Sequence, residues 1–213
     1  MALKFGQAAS DYTPSENSDE IWIRTFKEPM TQIRICPAEQ VNEKGVMVYG
    51  AEAWVMEREH YAEGIGSFPC AARFGVNCVG CDDPDEDVSQ RSRKYYINAL
   101  DDKAELRVFK FGVKLYKVFL GRQQRALSND PNNKQPLSDR DYIIIKSGKG
   151  FETNYDPEPG ERYEVQFPAE LHDINEIISA RYESAVEAYA GQGVTPRAAE
   201  PVAKIGKIGR TEV

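Results

Sequence analysis

One short stretch limits what this chain can become more than any other: His60 to Cys81, HYAEGIGSFPCAARFGVNCVGC. It holds three of the four cysteines and one of the two histidines. Thiolate and imidazole are the usual donors of a structural tetrahedral zinc ion. The order His60, Cys70, Cys78 and Cys81 ends in a Cys-x-x-Cys knuckle, where Gly80 is expected to let the backbone turn and aim both sulfurs inward. The spacing therefore predicts one structural Zn²⁺ held by His60, Cys70, Cys78 and Cys81. Cys36, near the end of an expected strand, is the alternative to His60 as fourth ligand.

Other readings of the cluster fit less well. Free buried thiols need an apolar core, and this stretch is rich in glycine and polar residues. A disulfide would leave an odd thiol. A deaminase-type catalytic zinc needs H-x-E followed by P-C-x-x-C, whereas His60 is followed by Tyr61 and Ala62. Four protein ligands also leave no position for water or substrate. Zinc ligation by reduced cysteines implies an intracellular, cytoplasmic setting. No apolar run is long enough to span a bilayer, so no membrane partner is expected.

The formal net charge is −7, but its distribution matters more than its sum. Residues 88–150 carry 14 basic and 6 acidic groups, while both flanks are acidic. A basic segment of this kind is the footprint of polyanion binding. It also interleaves cations with rings, as in Arg91-Ser92-Arg93-Lys94-Tyr95-Tyr96 and Arg107-Val108-Phe109-Lys110-Phe111. Unpaired bases stack on aromatic faces while cations follow the phosphates. On a strand, only one of Tyr95 and Tyr96 can face a ligand. Lys110 and Lys114 are expected to add positive charge from their local sequence.

The pattern predicts a mainly β protein with some helix. Thr31–Pro37 reads as a strand with Ile33 and Ile35 on one face and Arg34 on the other. A hairpin is expected from Lys94–Leu100 and Ala104–Phe111, then a helix over Val113–Leu127 in which Val113, Tyr116, Leu120 and Leu127 share a face and Phe119 adjoins it. Strands follow at Tyr142–Lys146 and Arg162–Phe167. A last amphipathic helix after Pro168 carries His172 on its surface. Residues 1–20 and 191–213 read as flexible, leaving a core over 21–190 with the metal insertion at about 58–88. The element order is that of an OB-fold, a five- to six-stranded barrel.

From Ile33 to Tyr155 the chain resembles the helix-destabilising, single-stranded-DNA-binding proteins of tailed phages, the gene-thirty-two-product family. The residues that carry the likeness are Ile33-Arg34-Ile35-Cys36-Pro37, the His…Cys…Cys-x-x-Cys insertion, and Arg91 shortly before Tyr95-Tyr96-Ile97-Asn98. Val108-Phe109-Lys110-Phe111-Gly112 at a helix start and Gly150-Phe151-Glu152-Thr153-Asn154-Tyr155 complete it. The resemblance implies an OB-fold with a zinc subdomain flanking a cleft for single-stranded DNA. By position, Arg34 and Arg91 would meet phosphates, and Tyr95, Tyr96, Phe109, Phe151 and Tyr155 would stack on or abut bases. It further implies work in phage DNA replication, recombination and repair, with replication or recombination proteins as partners and self-association on DNA. The localisation implied is the host cytoplasm.

No enzyme is expected. Ser147-Gly148-Lys149-Gly150 lacks the spacing of a phosphate-cradling loop, and no nucleophile with a base stands out. The rival to DNA binding is a zinc-stapled adaptor that docks proteins through its acidic C-terminal helix.

Overall fold

The computed structural model describes residues 23–26, 28–74, 77–148 and 152–191. The segment 1–20, the tail beyond residue 191 and Phe151 lie outside these residues. In chain order the strands are β1 (Ile23–Arg24), β2 (Met30–Ile35), β3 (Glu39–Val41), β4 (Met47–Tyr49), β5 (Val55–Ala62) and β6 (Gly66–Pro69). They continue with β7 (Ser92–Leu100), β8 (Leu106–Gly112), β9 (Arg140–Ser147) and β10 (Asn154–Arg162). The helices are α1 (Glu86–Ser89), α2 (Val113–Asn129) and α3 (Ile174–Gly191). The described residues divide into two compact units, those of Met1–Met56 with Lys94–Ile174 and those of Glu57–Arg93 with Asn175–Val213.

In the first unit six strands pair in the order β1-β8-β7-β2-β9-β10. All neighbours are antiparallel except β1, which runs parallel to β8. The fold is thus mainly β with helices, as expected, but among the described residues the sheet is not a closed barrel. Its two ends explain why. β1 contributes only Ile23 and Arg24, and β10 carries Pro157 and Pro159, which have no N–H for another ladder.

The core of this unit forms because alternate residues of each strand point the same way. Ile33 and Ile35 of β2, Tyr95 and Ile97 of β7, and Phe109 and Phe111 of β8 meet Trp54, Leu115 and Phe119. The turn between β7 and β8 is closed by Asp101, whose Oδ1 accepts from the amides of Lys103 and Glu105 at 3.0 Å each.

α2 begins where the sequence places it, but its buried face differs. Leu115, Phe119 and Gln123 face inward at i, i+4, i+8, while Val113 is 37% exposed. Tyr116 and Leu120 only flank the core. Gln123 turns inward because it has partners: its Oε1 accepts from the Ala51 amide at 2.7 Å and its Nε2 donates to the Tyr49 carbonyl at 3.0 Å. Gly50 makes room for it. Gly50 has φ +57°, and a Cβ there would sit 2.3 Å from Gln123 Oε1.

The strand expected at Arg162–Phe167 lies earlier, at β10. Residues after Arg162 leave the ladder, and Val165 and Phe167 instead pack on Cys36, Leu100 and Leu106. The prolines and Gly160 of β10 hide the strand from a pattern reading. His172 precedes α3 rather than riding on it, half-buried, with Nε2 3.4 Å from the Leu106 carbonyl. No helix among the described residues is long and apolar enough to cross a membrane.

Candidate functional site

The candidate metal cluster is built in the second unit. β5 and β6 form an antiparallel hairpin in which His60 opposes Phe68 and Ala62 opposes Gly66. Gly64 and Gly66, with φ +79° and +87°, supply the left-handed turn between them. The ladder continues past β6, since the Cys70 amide donates to the Arg58 carbonyl at 2.7 Å. Opposed and alternate residues share a face, so His60, Phe68 and Cys70 emerge on one side of the hairpin. His60 therefore lies within a strand rather than in a loop.

Cys78 and Cys81 come from a turn closed by the Asp82 amide on the Cys78 carbonyl at 3.1 Å. Gly80 is needed here for a different reason from the one its position suggested. It is not at positive φ. A Cβ on Gly80 would lie 2.5 Å from Cγ of His60 and 2.9 Å from Cζ of Phe68, so glycine lets the imidazole approach the turn. The His60 and Phe68 rings stack at 5.5 Å.

The four donor atoms converge. His60 Nε2 is 3.5 Å from both Cys78 Sγ and Cys81 Sγ, and Cys70 Sγ is 3.5 Å from Cys81 Sγ. All four atoms lie within 4.8 Å of one another. A tetrahedral ion with ligand bonds of about 2.0–2.3 Å gives donor–donor edges of about 3.5–3.8 Å. Sulfurs joined in a disulfide would sit at about 2.05 Å. His60 Nδ1 is 2.7 Å from the Val88 carbonyl, which fixes the proton on Nδ1 and leaves the Nε2 lone pair for a metal. Burial, reinforced by Cys70 and Cys78, pushes the Cys81 thiol up to about 12. His60, Cys70, Cys78 and Cys81 thus form a candidate structural metal centre with no position left open.

α3 encloses this hairpin. Arg181 Nη1 pairs with the buried Glu59 at 2.7 Å, and its Nη2 donates to the Ser67 carbonyl at 2.5 Å. Tyr182 donates to the Asn77 carbonyl at 3.1 Å, and Tyr189 packs edge-on against Phe68. Cys36, the alternative ligand, is buried with Leu100 and Leu106, and burial pushes its thiol up to about 12.

The positions expected to touch DNA separate into several groups. Arg34 is 1% exposed and ion-paired with Asp141. Tyr96 is wholly buried, and Phe109 stacks on Phe26 at 5.4 Å. Tyr95 is buried, with Tyr116 parallel to it at 3.8 Å. The ring faces of Tyr95 and Phe109 are occupied by neighbours, and Tyr96 has no exposed surface. As corrections, Arg34, Tyr95, Tyr96 and Phe109 have structural rather than solvent-facing positions. Tyr95 and Tyr96 do point to opposite sides, but neither is open. Lys110 is half-buried on the sheet face opposite Phe109 and Phe111.

Tyr155 keeps a half-buried ring at the core edge, 6.1 Å from Phe26. Lys114 is exposed and donates to the Thr153 carbonyl at 3.2 Å. Arg91 is exposed, and its pKa is raised by the cluster's thiols, chiefly through a hydrogen bond to Cys70.

Sequence reasoning missed most of one surface. α2 contains Lys114, Lys117, Arg122 and Arg125 and no acidic residue. Lys114, Lys117, Gly121 and Arg125 recur at i, i+3, i+7 and i+11, which places them along one side of the helix. Both lysines and Arg125 are exposed, and no atom lies within 4 Å of where a Gly121 Cβ would be. The stripe spans about 16 Å at 1.5 Å per residue. The signal lies in the composition of 113–129, with four cations and no carboxylate.

No protein-family model matches this chain, and no curated protein matches it.

Proposed function

We propose that this protein binds single-stranded DNA without strict sequence preference and uses one structural Zn²⁺ to hold its second unit together. The observation that carries this reading is the acid-free outer face of α2, a cationic stripe beside the β10 segment that bears Tyr155. Cations track phosphates while a partly exposed ring receives a base. The Cys₃His donor set and its edges suit Zn²⁺, and the ion's role would be to cross-link β5, β6 and the Cys78–Cys81 turn. Lys114 and Tyr155 are retained as DNA contacts, joined by Lys117 and Arg125. The OB-fold reading rests on strand order and resemblance, with a sheet left open rather than closed. The setting in phage replication, recombination and repair rests on the resemblance alone.

The test is a titration of the zinc-loaded protein with labelled single-stranded and duplex oligonucleotides at several salt concentrations. Single strands should bind more tightly, with a log–log salt slope of about −0.7 for each phosphate contacted. Binding that ignores salt, or equal affinity for duplex, would sink the proposal.

A further inference from the structure

A recess of about 490 Å³ opens in the first unit beyond the cationic stripe, walled by the last turns of α2, by β9 and by β10. Four arginines line it: Arg122, Arg125, Arg140 and Arg162. Leu137 and Tyr142 belong to its apolar wall. Like charges gathered this way repel one another, so their counter-charges decide what the recess wants.

Two carboxylates serve the four guanidiniums. Asp139 takes Arg140 Nε at 2.7 Å and Nη2 at 3.1 Å, and it takes Arg162 Nε at 2.8 Å. Asp156 stands 3.6 Å from Arg122. Arg125 makes no ion pair among the described residues. The Nε of Arg122 is buried with no acceptor there. The balance is two uncompensated positive charges with spare N–H donors, since each guanidinium carries five. The partial negative charge at the C-terminal end of α2 opposes an anion, but only by about half a charge.

We propose that this recess binds a phosphate monoester, the terminal phosphate of a DNA strand that the α2 stripe has engaged. The inference rests on the strand-binding reading above for its source of ligand. A monoester carries close to two negative charges near neutral pH, matching the surplus, while each internal diester carries one. Guanidinium forks pair bidentately with phosphate oxygens. The volume exceeds what a phosphate fills, and the apolar wall leaves room for the attached nucleotide. The protein would then recognise strand ends as well as strand interiors.

The experiment uses the full zinc-loaded chain and one oligonucleotide sequence in three forms: 5′-phosphorylated, 3′-phosphorylated and unphosphorylated. A nucleoside monophosphate is titrated separately. One phosphorylated form should bind about tenfold more tightly than the unphosphorylated strand, the scale of a charge-assisted hydrogen bond. Arg162→Gln and Arg140→Gln should each reduce that preference and leave the unphosphorylated affinity unchanged. Lys117→Gln should weaken all three forms alike. Equal affinity for the three strands overturns the end site while leaving strand binding intact. An Arg162-dependent preference for the mononucleotide with no strand binding would instead identify a free-nucleotide phosphate as the ligand and overturn the strand-end assignment.

Discussion

Arg34 and Asp141 are register partners across β2 and β9, and their side chains pair at 3.3 Å in the interior. Tyr163 closes the arrangement from outside the ladder. Its carbonyl accepts from Arg34 Nη2 at 2.5 Å, its hydroxyl donates to Asp141, and Arg34 lies 4.4 Å from its ring centroid. Gln32 also donates to Asp141 at 3.1 Å. Removing one partner strands a buried charge, which typically costs about 3–5 kcal/mol. Arg34→Met should lose stability on that scale in urea unfolding. The double variant Arg34→Met with Asp141→Leu should lose clearly less than the two single costs added together. Strict additivity would show that the pair is not coupled.

Removing the metal should act locally first. A chelator, or Cys78→Ser, should release one Zn²⁺ per chain by elemental analysis. Amide hydrogen exchange should accelerate in β5, β6 and the Cys78–Cys81 turn before it does in β2 or β9. Co²⁺ in place of Zn²⁺ should give the visible spectrum of a tetrahedral thiolate site. An octahedral spectrum would rule out the ligand set.

Gly80→Ala tests the close approach of the His60 ring. The added Cβ would meet imidazole at 2.5 Å and 2.7 Å, and overpacking of this kind costs about 1–3 kcal/mol. The variant should hold metal more weakly in competition with a chromophoric chelator. Unchanged metal affinity and melting temperature would mean that the turn moves aside freely.

The stacking reading is tested by two tyrosines that lie in different surroundings. Tyr155→Ala should weaken single-strand binding by about 1–3 kcal/mol, the worth of one stacked base, with a smaller change in stability. Tyr96→Ala removes a fully buried ring and should destabilise the fold by about 3–5 kcal/mol. A Tyr96 variant that stays stable yet loses DNA would reverse the assignment.

His172 supplies a pH dependence. Its pKa is lowered, chiefly by burial, with the Leu106 carbonyl opposing and Arg107 assisting. The folded protein therefore resists protonating it, and the unfolded chain binds that proton more readily. Its contribution is constant above the unfolded value of about 6.5 and falls as pH drops from there towards the folded pKa. His172→Gln should flatten the loss of stability below that pH in denaturant titrations. An unaltered slope would assign the effect to other groups.

The convergence of His60, Cys70, Cys78 and Cys81 was legible because chemistry alone limits it: few other patterns place three thiols and an imidazole so near one another. The hairpin of β7 and β8 was legible from alternation and from Asp101 in its turn. β10 was not, because Pro157, Pro159 and Gly160 carry the signature of a loop, while β9 pairs with both prolines and Gly160 falls in the register shift before Arg162. The buried positions of Arg34, Tyr95, Tyr96 and Phe109 were hidden for a related reason. Aromatic residues beside cations look alike in sequence whether they serve a surface or a core, and a three-dimensional partner such as Tyr116 or Phe26 is what separates the cases. Arg34 is the same lesson with a charge, since nothing near it in sequence announces Asp141.

Pro157 and Pro159 have a consequence beyond their own strand. Bare sheet margins tend to zip into aggregates when copies of a chain are crowded together. Here the last strand lacks two of the donors such zipping needs. Crowded copies of this chain therefore have less to join through at that margin.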